Sequence, residues 1–171
     1  ELCVAGYVLG DLWEVDALAE DFAAYSDEIR RASVGLHIVF GNVAVDRDAV
    51  GQDGRLRKYN AVYVCSNGEY VEREQVPAGL PCGIQPKTLQ PNYRFFDDDR
   101  HFFSLRHLAE AAGQPLDAWL HPYEVRLGDG RVFRFGVQLC EDMWCQDYCR
   151  AGDTIDTLAL YHQRGAEAVF N

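Results

Sequence analysis

Apolar side chains recur in steps of three and four near the start of the chain. Val15, Leu18, Phe22, Tyr25 and Ile29 share one face of a 3.6-residue repeat, with Glu20, Asp21, Asp27, Glu28 and Arg30 mostly off it. That spacing predicts a helix from Trp13 to Ala32. The period then changes. Leu36 to Val45 is a β-rich apolar run that Gly41-Asn42 is expected to break. Asn60 to Cys65 and Glu69 to Glu72 flank Ser66-Asn67-Gly68, and Asn-Gly between strand-like runs predicts a hairpin. Tyr123 to Leu127 and Val132 to Leu139, flanking Asp129-Gly130, predict a second one.

Pro77 to Asn92 is too rich in Pro and Gly to be regular throughout. Beyond it, Phe102, Leu105, Leu108, Ala109 and Ala112 mark a helix ending at Gly113. Thr154 to Arg164 reads as another, stopped by Gly165, and Glu167 to Phe170 starts a strand. Helices and strands mix, with hairpins inside the sheet, so the fold class is α/β and layered rather than simply doubly wound. No repeat, low-complexity segment or linker divides residues 1–171, which read as one domain. Glu1 and Asn171 both lie in apolar, structured-looking sequence, and the expectation is an interior slice of a longer protein.

Composition narrows the function. Of 171 residues, 48% are hydrophobic and 12% aromatic, which excludes disorder and supports a buried core. Acidic residues outnumber basic ones 27 to 16, for a net charge of −11. Such a surface repels phosphate backbones and anionic lipids, so neither nucleic acid nor a membrane is expected as a partner. No apolar run approaches the roughly 20 residues that span a bilayer, and no signal peptide is recognised. Six cysteines match no small secreted framework; free thiols in a reducing cytoplasm are expected. Cys140, Cys145 and Cys149 lack the paired knuckles of a zinc site, so no metal is expected, although a redox or metal module on them is an alternative.

Three separated segments carry candidate chemistry. In Phe135-Gly136-Val137-Gln138-Leu139-Cys140-Glu141-Asp142-Met143-Trp144 a buried strand runs into a cysteine followed by two carboxylates. A cysteine where a strand ends in a sharp turn is exposed at the sheet rim, beside a backbone N–H free to bind an oxyanion. The other reading of Cys140 is a small core residue ending a strand. Lys87, in Pro86-Lys87-Thr88-Leu89-Gln90-Pro91-Asn92-Tyr93, is either a fixed positive charge over an aromatic cleft or a solvated surface lysine. Asp97-Asp98-Asp99 reads as an acid-rich helix N-terminus, since consecutive residues cannot all face one ion. Glu1, with Gly6-Tyr7 following, has no meaning alone.

Together these segments resemble the nitrilase superfamily of carbon–nitrogen hydrolases, which is recognised by a Glu-Lys-Cys set. Glu1-Leu2 with Gly6-Tyr7 is similar to its glutamate motif. Lys87 with Leu89, Pro91, Asn92, Tyr93 and Phe96 resembles its lysine motif, and Gly136 to Asp142 its cysteine motif. Within the superfamily the chain looks most like the glutaminase domains of glutamine-dependent NAD synthetases, through Cys140-Glu141-Asp142 with Trp144, the Lys87 string and Arg57-Lys58-Tyr59-Asn60-Ala61. The resemblance implies a four-layer αββα sandwich, here without its first strand and C-terminal part.

It also implies Cys140 as nucleophile, Glu1 as general base and acid, and Lys87 as oxyanion stabiliser. Tyr93, Phe96, Glu141 and Trp144 would contact a glutamine or another small amide. The glutaminase reaction needs no cofactor; ATP, Mg and nicotinic acid adenine dinucleotide belong to a synthetase domain absent from this chain, which would be its partner. The resemblance further implies a homo-oligomer. Two positions depart from the family pattern. Gln90 stands in a usually apolar place, and Phe95 where an acidic residue often precedes the motif's Phe; some relatives use a second glutamate in this region. Those departures support the alternative of a catalytically silent assembly domain, and a stand-alone amidase or nitrilase is the other.

Overall fold

The computed structural model describes residues 1–171 apart from Glu74, Pro81, Cys82, Asp147, Tyr148, Cys149 and Ala151. The first helix, α1, spans Asp16–Ala32. It starts later than the periodicity predicts because Gly10–Glu14 forms a separate 3-10 turn and Val15 between them is extended. Phe22 and Ala23 pack α1 on a cluster of Leu2, Trp13, Val43 and Phe102. Tyr25, on the same apolar line, is exposed.

Strand β1, His37–Val50, pairs antiparallel with β2, Leu56–Ser66, from His37 opposite Ser66 to Asp46 opposite Arg57. Gly41-Asn42 does not break β1. Gly41 instead gives room for the N-terminal segment: Leu2 bridges to it and the Cys3 N–H donates to its carbonyl at 2.9 Å. Asn42 is buried in mid-strand because its amide donates to the Phe22 carbonyl at 2.8 Å and Ser26 Oγ at 2.9 Å, both on α1.

The first hairpin closes as its sequence predicts. Asn67 and Gly68 both take positive φ, 51° and 87°, as a two-residue turn matched to strand twist requires, and β3, Glu69–Tyr70, returns along β2. A short strand inside the Pro/Gly-rich stretch, β4 at Ile84–Pro86, joins the same edge of β2.

The second sheet holds β5, Tyr123–Arg126, antiparallel to β6, Val132–Val137, with β7, Ala168–Phe170, parallel to β6. Val62 and Val64 of β2 pack against Tyr123, Val125, Phe135 and Val137, so the two sheets share a core. The remaining described helices are α2, Asp98–His101, α3, Leu105–Ala111, and α4, Thr157–Gln163. Ser104 and Asp156 cap the latter two through side-chain oxygens, which fixes starts later than the apolar pattern alone indicates. Tyr161 of α4 lies against Gly136 of β6, where no side chain fits between them. No described helix is long and apolar enough to cross a membrane.

Candidate active site

The route from β6 to Cys140 is fixed residue by residue. The Gln138 N–H donates to the Phe170 carbonyl at 2.8 Å and Leu139 is extended. Cys140 then takes φ 43°, a left-handed conformation unfavourable for a residue with a β-carbon, and opens a 3-10 turn through Trp144. The turn is held by Asp142. Its buried carboxylate accepts N–H bonds from Leu139 at 3.0 Å, Thr88 at 3.0 Å and Leu89 at 2.7 Å. Burial pushes the Asp142 carboxyl up to about 7, while those N–H groups and the Lys87 charge pull it down. Cys140 is left exposed at the sheet rim.

Lys87 is not a surface lysine. It follows β4, its N–H donates to the Asn60 carbonyl at 2.8 Å, and the residue is only 1% exposed. A buried ammonium must be paired. Lys87 Nζ meets a Glu1 carboxylate oxygen directly and Asp98 Oδ2 at 3.2 Å. Burial alone would push the ammonium down; the Asp98 and Glu1 carboxylates outweigh it and hold Lys87 above its ordinary range. Asn60 Nδ2 approaches the same Glu1 oxygen at 3.3 Å, and the Tyr7 hydroxyl donates to the other oxygen of Asp98.

Asp98 corrects the reading of the acidic run. Helix α2 does begin there, but Asp98 is 3% exposed and turned inward, whereas Asp97 and Asp99 face out. Burial raises its carboxyl above the ordinary value, against the pull of Lys87 and Tyr7. Phe95 is 78% exposed, so the second carboxylate beside Lys87 comes from Asp98, three residues further on. Gln90 is buried, its amide donating to the Phe102 carbonyl at 2.9 Å. The polar side chain in that apolar place is thereby tied to backbone.

Glu1 and Lys87 are in contact, and Cys140 lies close enough for both charges to act on its thiol. Burial pushes the Cys140 thiol up, the Glu1 charge pushes it further, Lys87 pulls it down and Glu141 raises it. Of the other candidates, Tyr93 and Glu141 come together, the Tyr93 hydroxyl donating to Glu141 Oε2 at 3.1 Å. Glu141 is buried and its Oε1 has no hydrogen-bond partner among the described residues. Phe96 packs edge-on against Tyr7 and Tyr93, with ring centroids 5.8 Å and 5.4 Å away. Trp144 stands apart at the end of the turn, 60% exposed. Cys3, Cys65, Cys140 and Cys145 are free thiols, and among the described residues no group of three His, Cys, Asp or Glu side chains is placed to hold a metal; Cys82 and Cys149 lie outside the described residues.

No protein-family model matches the chain, and no curated protein matches it by sequence. Solved structures do match. Glutamine-dependent NAD+ synthetase from Acinetobacter baumannii, in complex with adenosine diphosphate, aligns over 100% of this chain with a TM-score of 0.59 and 22% identity. The corresponding synthetase from Cytophaga hutchinsonii aligns over 82% with a TM-score of 0.52 and 20% identity. The likeness is one of fold. This chain spans 24% of the first structure's length and 21% of the second's. Mixed α/β architecture with two sheets is thus shared with part of each synthetase, and both are enzymes of NAD synthesis.

Proposed function

We propose that this chain forms the cysteine site of a nitrilase-type carbon–nitrogen hydrolase, with the four-layer sandwich of that superfamily, and that it releases ammonia from glutamine. The observation that carries the reading is the buried Lys87 ammonium, paired with Glu1 and Asp98, whose charge acts on a cysteine held in a left-handed elbow. A buried lysine with two carboxylates is costly to assemble unless its charge is used.

In this reading the Cys140 thiol passes its proton to Glu1 as sulfur attacks the side-chain amide carbon. The tetrahedral oxyanion is met by the Lys87 ammonium and the Glu141 N–H; one such donor is commonly worth about 3–4 kcal/mol. Glu1 returns the proton to the departing nitrogen, ammonia leaves, and a thioester remains. Water, deprotonated by the same carboxylate, cleaves the thioester and regenerates the thiol. Glu141, with Tyr93 hydrogen-bonded to it, supplies the anionic contact that the α-ammonium of glutamine calls for, with Phe96 as apolar wall. The fold likeness supports a downstream use of the ammonia in NAD synthesis by a synthetase domain, where ATP, Mg and the dinucleotide substrate would bind. An oligomer of such chains, in the cytoplasm, belongs to the same proposal and rests on the family resemblance of the sequence alone.

The deciding experiment measures ammonia and glutamate release from glutamine by this chain and by Cys140→Ala, with rapid acid quench to trap the thioester on Cys140. Where a synthetase domain is attached, Cys140→Ala is expected to abolish glutamine-dependent NAD formation and to spare formation from free ammonia. Glutamine-dependent turnover that survives Cys140→Ala overturns the assignment.

A further inference from the structure

Asn60, in the Arg57-Lys58-Tyr59-Asn60-Ala61 string, is a polar residue on an apolar face. It lies on β2 opposite Val43 of β1. By strand alternation it shares the side of β2 from which Val62 and Val64 pack on the second sheet. It is 1% exposed. Its backbone carbonyl accepts the Lys87 N–H at 2.8 Å, and its side-chain Nδ2 donates to Glu1 Oε1 at 3.3 Å. One residue thus fastens both Lys87 and Glu1, which are 86 positions apart in the chain.

Stability does not account for this amide. A buried amide is costly unless both its ends are hydrogen-bonded, and Asn60 Oδ1 has no hydrogen-bond partner among the described residues. An apolar side chain in its place would pack on the same core without that cost. What it would lack is the N–H aimed at Glu1. Lys87 Nζ reaches the same carboxylate oxygen, Oε1. With two donors from different elements on Oε1, the carboxylate cannot tilt without lengthening one of the two bonds. Oε2 is the oxygen left to take a proton.

We infer that Asn60 is the positioning residue of the general base: with Lys87 it holds Glu1 by Oε1 and so presents Oε2 to the Cys140 thiol. The catalytic sense of this role rests on the hydrolase reading above. As sulfur attacks, the S–H proton passes to Oε2, the sulfur pair forms the bond to the amide carbon, and the carbonyl pair moves onto the oxygen. Asn60 acts through Glu1. A reacting group displaced by about 1 Å can lose roughly a hundred-fold in rate, so a fixed carboxylate is worth the cost of a half-satisfied amide.

Two measurements on Asn60→Leu, which keeps the size of the side chain and removes the donor, test the role. Ammonia release from glutamine, with wild type and Cys140→Ala alongside, is expected to show kcat lowered about ten- to hundred-fold and KM changed by less than about two-fold. Iodoacetamide labelling of Cys140 across pH needs no substrate. The Asn60 N–H takes up part of the Glu1 charge that raises the thiol, so Asn60→Leu is expected to move the labelling midpoint up. In a Glu1→Gln background the same substitution is expected to leave the midpoint in place, a coupling that general loosening of the fold does not produce. If Asn60→Leu does not fold, Asn60→Val, suited to a strand, carries both measurements. A midpoint that does not move, or moves equally with and without Glu1, overturns the hold of Asn60 on Glu1. A wild-type kcat in the folded variant overturns its part in catalysis. A chain that shows the coupling but releases no ammonia through Cys140 overturns the hydrolase reading instead and leaves the hold on Glu1 standing.

Discussion

Asp142 and Leu89 are 53 residues apart in sequence, yet an Asp142 carboxylate oxygen accepts the Leu89 N–H at 2.7 Å. The same oxygen takes the Thr88 N–H, and its partner oxygen takes that of Leu139. One side chain thus fastens the peptide units after Lys87 to the unit before Cys140. Asparagine offers a single acceptor oxygen there. If that oxygen serves Thr88 and Leu89, the amide nitrogen faces the Leu139 N–H, donor against donor. Asp142→Asn is therefore expected to destabilise the chain by about 2–3 kcal/mol in urea unfolding. It is also expected to uncouple Lys87 from Cys140, so that removing the lysine charge no longer alters thiol reactivity. Unchanged stability in Asp142→Asn would mean the three bonds are not made.

The thiol itself gives a pH test with opposite signs at two neighbours. Burial and the Glu1 charge raise the Cys140 thiol above its ordinary value, while Lys87 opposes them. Removing an anion favours the thiolate; removing a cation disfavours it. Iodoacetamide labelling of Cys140 across pH, followed by mass spectrometry, is expected to show a midpoint above that of a free cysteine. Glu1→Gln is expected to move the midpoint down and Lys87→Met to move it up. Movement in the same direction in both variants would contradict the shared site.

Much of this arrangement was legible in sequence because it is local. The three-and-four spacing of Leu18, Phe22 and Ile29 marks α1, and Asn67-Gly68 and Asp129-Gly130 mark the hairpins. The turn chemistry of those glycines requires no knowledge of the rest of the chain. What sequence conceals is set by partners far away. Gly41 looks like a strand breaker until the backbone of Glu1 lies against it, and Asn42 looks like a turn residue until α1 supplies its acceptors. Asp98 is indistinguishable by pattern from Asp97 and Asp99; only the tertiary position of Lys87 selects it. The resemblance brought Glu1, Lys87 and Cys140 forward as a set, but the clamping role of Asp142 depends on hydrogen bonds between segments that pattern alone does not connect.

Asp98 and Asp97 separate an inward carboxylate from an acid at a helix start. Asp98→Ala leaves the Lys87 ammonium with Glu1 as its remaining carboxylate and removes the acceptor of the Tyr7 hydroxyl. Breaking a fully buried ion pair costs about 3–5 kcal/mol, and with Glu1 still in place about 2–3 kcal/mol is expected here. Asp98→Asn, which keeps the shape and an acceptor, is expected to fall between wild type and alanine. Asp97→Ala, exposed and without a side-chain capping bond, is expected to change stability by no more than about 0.5 kcal/mol. Equal effects at the two positions would restore the helix-terminus reading.

Gly41 joins the fold to the site. A β-carbon there would overlap the Glu1 carbonyl and backbone, with no flexible side-chain end to yield. The Cys3 N–H and thiol both donate to the Gly41 carbonyl, at 2.9 Å and 3.0 Å, so the N-terminal segment cannot move without losing them. Gly41→Ala is expected to cost about 1–3 kcal/mol and to displace Glu1 from Lys87 and Asn60. Displacing Glu1 removes its charge from the thiol, so the labelling midpoint of Cys140 is expected to fall, as in Glu1→Gln. Gly128→Ala is the control: its β-carbon meets nothing and its φ is ordinary, so stability is expected to stay the same or rise slightly. A Gly41→Ala chain that is destabilised yet keeps the wild-type Cys140 midpoint would show that Glu1 holds its place without the backbone contact.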